Sequence, residues 1–213
     1  MDWIPGADAK CARYEEQHGE IDERSLVRRG NTAYAAGLSY LMAGDERSGE
    51  WLQRAAARWR ESWDAGDGRD AWGRPIGALK ASLLAGDDAA LDELARWTLE
   101  RGAATAESPI GRYAGALALL SLGRWSEARH VAQTLRERDD FPRDVADALA
   151  YIASEDAVGV IAAVDSVVES FATRTEYLED VPVADTALVL HLLATRRGLE
   201  TALPPSPLLP EPS

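Results

Sequence analysis

A single cysteine, Cys11, in 213 residues excludes an intrachain disulfide and leaves too few thiolates for a cysteine-based zinc site. No apolar run approaches the roughly 18 residues that cross a bilayer. The opening residues Met1-Asp2-Trp3-Ile4-Pro5-Gly6 carry neither the basic patch nor the apolar stretch of a secretory signal, so a cytoplasmic chain with no membrane contact is the expectation. Lysine is confined to Lys10 and Lys80, and arginine supplies the rest of the 23 basic residues. Against them stand 36 acidic residues, giving a net charge of -13 and a pI near 4.7. Such a charge is repelled by phosphate backbones, which sets nucleic acid aside; its first reading is solubility, and it would also suit a basic protein partner.

The usual catalytic groups are just as sparse. Histidine occurs only at His18, His130 and His191, far apart and in no motif. His191 lies inside Leu188-Val189-Leu190-His191-Leu192-Leu193 and reads as a hydrogen-bonded core residue. Gly37-Leu38-Ser39-Tyr40-Leu41 lacks the closing glycine of a nucleophile elbow and falls inside a helical pattern. Gly68-Arg69-Asp70-Ala71-Trp72-Gly73 has phosphate-loop glycine spacing, but Arg74-Pro75 follows where lysine and a hydroxyl residue are needed. Asp64, Asp67 and Asp70 recur every third residue, unlike the alternate ligands of a calcium loop, and read as a solvated acidic stretch. The reading therefore assigns no catalytic residue, no metal ligand and no cofactor.

What the chain does contain is repetition. A small-residue apolar helix, a turn and an amphipathic helix return four times, with the turns at Gly44-Asp45, Gly86-Asp87, Gly123-Arg124 and Glu155-Asp156. The steps between positions 44, 86, 123 and 155 are 42, 37 and 32 residues, each about the length of two short helices with their connections. Every second helix carries a stripe at three-and-four spacing, expected to be buried. The stripes are Trp51, Leu52, Ala55, Ala56, Trp59 and Trp63; Leu91, Leu94, Ala95 and Thr98; Ala128, Val131, Ala132 and Leu135; and Val160, Ile161, Val164, Val167, Val168 and Phe171. The first copy resembles a tetratricopeptide repeat, with Gly37, Gly49 and Ala56 at small-residue positions of that family; the other copies match less well. This implies tetratricopeptide-like packing without a regular array.

Connectors separate the repeats. Residues 64–77 read as a loop, and residues 102–110 as a second, closed by a Ser108 cap with Pro109 in the first helical turn. Asp139-Asp140-Phe141-Pro142 is expected to cap the following helix in the same way. A last helix runs from about Val183 to Arg197 and stops at Gly198. Beyond it a proline-rich tail, extended over residues 204–213, is expected to strap Leu208 and Leu209 onto the last hairpin.

The C-terminal third carries a family resemblance. Ala148-Leu149-Ala150-Tyr151-Ile152-Ala153-Ser154-Glu155-Asp156, then Ser170-Phe171-x-x-Arg174, then Tyr177-Leu178-Glu179-Asp180-Val181-Pro182, resembles immunity protein 49 of bacterial polymorphic toxin systems. Ala187-Leu188-Val189-Leu190-His191-Leu192-Leu193-Ala194, Arg197-Gly198-Leu199 and Ser206-Pro207-Leu208-Leu209-Pro210 are similar to that family's closing helix and leucine-proline end. The resemblance covers roughly residues 146–210; Pro207-Leu208 stands where an acidic-aromatic pair is expected. It implies a cytoplasmic all-helical protein that neutralises a toxin by binding it, and it transfers no contact residue.

The expectation is thus one all-α domain over residues 1–213, a short stack of antiparallel helical hairpins resembling a tetratricopeptide solenoid and closed by the tail. Its function is expected to be non-catalytic protein binding, with a basic toxin as the implied partner. The expected contact residues lie on connectors: Arg69, Asp70, Trp72, Arg74, Arg112, Asp139, Asp140 and Arg143. Trp72 beside Arg74 has the composition of an interface anchor, unless it folds back onto the helices. Two alternatives stand beside this: a general adaptor, and a small-molecule or metal-assisted enzyme whose pocket joins Arg69, Asp70, Trp72, Arg74, Arg112 and Tyr113.

Overall fold

A computed structural model describes residues 2–17, 21–66 and 70–211. Among the described residues there are ten α-helices and no strand. They are α1 (Trp3–Glu16), α2 (Glu23–Met42), α3 (Ser48–Ala65), α4 (Gly73–Ala85), α5 (Asp88–Glu100), α6 (Pro109–Ser121), α7 (Trp125–Arg136), α8 (Arg143–Ser154), α9 (Ala157–Ala172) and α10 (Asp185–Arg196). Helices α2–α3, α4–α5, α6–α7 and α8–α9 are hairpins, and each second helix also packs on the first helix of the next hairpin. The four foreseen turns are the ones observed. Gly44, Gly86 and Gly123 take positive φ values of 66°, 71° and 67°, and Glu155 takes 63° despite its side chain. Asp87, Ser108 and Asp156 cap the helices that follow them by accepting backbone N–H bonds.

The hairpins close on slots left by small residues. A Cβ on Gly37 would lie 2.7 Å from the Leu52 side chain, so α2 and α3 cross closely there. The Trp59 indole is held between Gly30 of α2 and Gly77 of α4, where an added Cβ would meet it at 2.7 and 2.8 Å. Its Nε1–H donates to Asn31 Oδ1 at 3.1 Å, so the one polar atom of the ring is satisfied. Gly49, in contrast, has nothing nearer than 3.7 Å, so its match to the repeat family carries no steric need. Every stripe residue expected to be buried is buried except Ile161, which is 38% exposed; the α9 core face is set by Val160 and Ala163 instead.

Local expectations fail in several places. The 64–77 loop is shorter, because α3 continues to Ala65 and α4 starts at Gly73; Pro75 sits in the first turn, where its missing N–H has no intrahelical partner to lose. Asp139 and Asp140 do not cap α8: Pro142 occupies the cap position and Asp140 pairs with Arg138 instead. The helix α1 was not foreseen. Its weak amphipathicity leaves only Ala7 and Tyr14 fully buried.

The C-terminal 40 residues decide the shape. Residues 173–184 cross from the last hairpin back to the first, where the short turn Leu178–Asp180 packs on α2 and Glu179 pairs with Arg13. α10 then runs across the first helices of the hairpins, packing on α4, α6 and α8 and also on α9. Ala187, Leu188, Val189, Leu190, Leu193 and Ala194 are buried along it, each large side chain stabilising the closure by about 1.5–3 kcal/mol before entropy is counted. The tail returns antiparallel to α10, with Ala184 N–H donating to Leu208 O at 2.9 Å. The strap therefore does not lie on the last hairpin. Leu208 and Leu209 sit over a depression they share with Trp3, Ile4, Leu41 and Met42. The chain exposes 10325 Å², near the roughly 9700 Å² of a compact monomer of its 23.1 kDa, because the groove of an open stack has been filled.

Candidate functional site

Where α10 enters the groove, three helices contribute to one buried polar cluster. Lys80 of α4 places Nζ 2.7 Å from Asp185 Oδ2 and donates to Thr186 Oγ1 at 2.9 Å. Tyr34 of α2 donates its hydroxyl to the same Asp185 oxygen at 2.7 Å. The Lys80 and Asp185 side chains are only 12% and 15% exposed. Burial pushes the Asp185 carboxyl up, but the Lys80 charge and the hydrogen bonds from Lys80 and Tyr34 overcome this and hold it below the usual carboxylate range. Burial, then the Asp185 charge, pushes the Tyr34 and Tyr113 hydroxyls above the usual phenol range. Tyr113, buried in α6, has a hydroxyl that meets no partner at hydrogen-bond geometry among the described residues.

These groups are suited to fastening rather than to proton transfer. An ammonium held by a carboxylate has no free lone pair, and a phenol that donates to that carboxylate is kept protonated. The Asp185 carboxylate thus ties α10 to both α2 and α4. Beside the cluster lies an open cavity of about 500 Å³, whose polar lining is Asn31, Tyr34, Asp70, Arg74, Lys80 and Asp185. Lys80 lines that cavity while holding Asp185 and Thr186.

The connectors expected to bind a partner do share one edge of the stack, opposite the hairpin turns, but they do not form one patch. Arg69 and Asp67 lie outside the described residues. Asp70 is exposed, with a positive φ of 57°, and joins Arg74 at the cavity. Arg74 is engaged: it pairs with Glu23 and donates to Ser62 O at 2.8 Å. Trp72 is not an exposed anchor. It is 7% exposed, packs on Trp63 with centroids 5.1 Å apart, and fills the space left by Gly111, so it is buried by hairpin packing. Arg112 donates to Ala106 O at 2.8 Å and braces its own connector. Asp139, Asp140 and Arg143 are exposed at the α7–α8 connector, with Arg143 paired to Asp147. Of the residues expected to join in an enzyme pocket, this cavity takes in Asp70 and Arg74, while Trp72, Arg112 and Tyr113 do not line it.

The cluster of Tyr34, Lys80, Asp185 and Thr186 was missed from sequence. The available signal was a lone lysine inside Leu79-Lys80-Ala81-Ser82-Leu83 and a lone aspartate opening an apolar helix, two opposite charges each set among core residues. His191 is half-buried, with Nδ1 3.0 Å from Thr201 Oγ1, and burial lowers its pKa. Among the residues that carry the family resemblance, Arg174 stacks on Phe171 and Tyr177 donates to Phe171 O at 2.6 Å, contacts local to the end of α9. Among the described residues no group of three or more histidine, cysteine, aspartate or glutamate side chains is arranged to hold a metal ion, and no helix is long and apolar enough to cross a membrane. Comparison with protein-family models, with curated proteins and with solved structures finds no match.

Proposed function

We propose that this chain is a non-catalytic protein-binding module of the cytoplasm, and that it acts by neutralising a basic toxin, as the resemblance to immunity protein 49 implies. The observation that supports binding over catalysis is the closed groove. The mostly buried charges Lys80 and Asp185 are spent on each other and on fastening α10. A net charge of -13 over the whole sequence favours a basic partner and accelerates its encounter. Affinity purification of the full chain from its native host tests the reading. One stoichiometric protein partner is expected, toxic when expressed alone and tolerated when this chain is co-expressed. A partner harmless by itself would make the protein an adaptor, and no protein partner at all would overturn the proposal.

One observation favours a second reading. The cavity at Asp70, Arg74 and Lys80, with both signs of charge in its lining, has the size of a small-molecule site. Native mass spectrometry of the purified chain separates the two: a retained metabolite, lost in Arg74→Ala, supports a ligand-binding or enzymatic role.

A further inference from the structure

The outward face of α9 differs from that of every other second helix. In α3, α5 and α7 the outer face carries both signs of charge, with arginines such as Arg54, Arg96 and Arg124 beside them paired to glutamate or aspartate one turn away. α9 contains no basic residue. Its core face is Val160, Ala163, Val164, Val167, Val168 and Phe171. On the opposite side Val158, Ile161, Ala162, Asp165, Glu169 and Ala172 recur at three-and-four spacing along one stripe. Val158 is 79% exposed and Ile161 38%. Asp165 and Glu169 have no ion-pair partner among the described residues, although nearly every acidic residue on α3 and α5 has one.

The stripe also has a border. Ile161 lines an open depression of about 590 Å³ formed with the residues after α10, including Leu199 and Glu200, and this border adds apolar surface and another carboxylate. The bases closest in sequence and space are engaged elsewhere: Arg197 pairs with Glu155 and stacks on Trp125, and Arg174 stacks on Phe171. In the earlier hairpins the second helix is covered by the first helix of the next hairpin, and α9, being last, has only part of that cover, from α10.

We infer that the outer face of α9 is a docking surface for a basic amphipathic helix of a partner protein, which continues the stack by one helix. The apolar residues fit the partner's apolar stripe, and the unpaired carboxylates fit flanking lysine or arginine. A second copy of this chain is the poorer occupant, because self-pairing brings Asp165 and Glu169 against like charges. The inference rests on the protein-binding reading and names the surface and partner chemistry it uses.

The test uses the full chain and a synthetic helical peptide with leucine at heptad a and d positions and lysine at e and g. Binding is followed by fluorescence anisotropy at low and high salt. Wild-type protein is expected to bind it, Val158→Glu/Ile161→Glu to weaken binding at least 10-fold, and Asp165→Lys/Glu169→Lys to weaken it and flatten its salt dependence. Asp92→Lys/Glu93→Lys, an equal charge change on α5, is expected to alter affinity less than 2-fold. Circular dichroism and thermal melting of each variant confirm folding. Equal losses for the α5 and α9 variants, no binding by wild type, or a wild-type dimer dispersed by the α9 changes would each overturn the inference. Any native partner obtained by purification is then titrated with the same variants. Undiminished binding defeats the α9 assignment alone, whereas failure to obtain a partner defeats the broader reading.

Discussion

Trp59 shows how much of this fold depends on residues that are absent as side chains. Its ring fits only because Gly30 and Gly77 contribute no Cβ on either side, and Gly37 does the same for Leu52. Helix propensity alone favours alanine over glycine by about 1 kcal/mol, while overfilling a packed site costs about 1–3 kcal/mol. Gly37→Ala and Gly77→Ala should therefore lower the denaturant midpoint, and Gly49→Ala, whose Cβ meets only ordinary contact distances, should raise it slightly. A destabilised Gly49→Ala would show that the repeat-family position matters for a reason other than crossing distance. Trp72→Ala should cost about 3 kcal/mol in stability, as expected for removing a buried aromatic ring, rather than act as the loss of a surface contact. Composition made an indole beside an arginine look like an anchor; its burial follows from Trp63 on the preceding helix and from Gly111, which is distant in sequence and adjacent only after packing.

Among the elements, α10 carries the most consequential local chemistry. Removing one partner of a mostly buried ion pair leaves the other charge stranded, which typically costs about 3–5 kcal/mol. Lys80→Met should approach that range by chemical denaturation, and adding Asp185→Leu should recover most of the loss; no recovery would mean that packing, not charge, sets the cost. The pH dependence has a definite sign. Because Asp185 is held below its ordinary value, its contribution is complete above about pH 4, where an unfolded aspartate is also ionised, and it is lost as pH falls through the lower folded value. The stability gap between wild type and Asp185→Asn should be widest near neutrality and close as pH falls through the lowered folded value. A constant gap would remove the carboxylate from the argument. The helix itself was legible from Val183-to-Arg197 periodicity and the stop at Gly198, but where it docks was not: periodicity identifies an apolar face, not the surface that receives it.

Across the whole molecule, a stack of hairpins and a C-terminal return make a filled body out of what would be an open solenoid. Residues 173–184 carry the chain the length of the stack, α10 fills the groove and the tail returns beside it. Ending the chain at Arg174 would uncover the apolar faces of α4, α6 and α8 that α10 now buries. Such a truncated chain should aggregate or bind a hydrophobic dye strongly; a soluble, cooperatively melting monomer would mean that the hairpins are sufficient alone. This closure also bears on binding. With the groove occupied from within, the exposed groups lie on the outside of the stack, among them Asp139, Asp140 and Arg143 at a connector and Val158 and Ile161 on α9.

Apart from α1 and the exposed Ile161, the helices, the four turns and the buried stripes were readable from the chain because they rest on short-range physics: side-chain period, glycine at left-handed turns, and serine or aspartate at helix starts. Tertiary structure alone decided the partners of each face. It paired Lys80 with Asp185 across more than 100 residues, buried Trp72, carried the tail back to the first hairpin and left the α9 face open. Those outcomes depend on which surfaces compete for the same apolar groove, and that competition has no counterpart in local sequence.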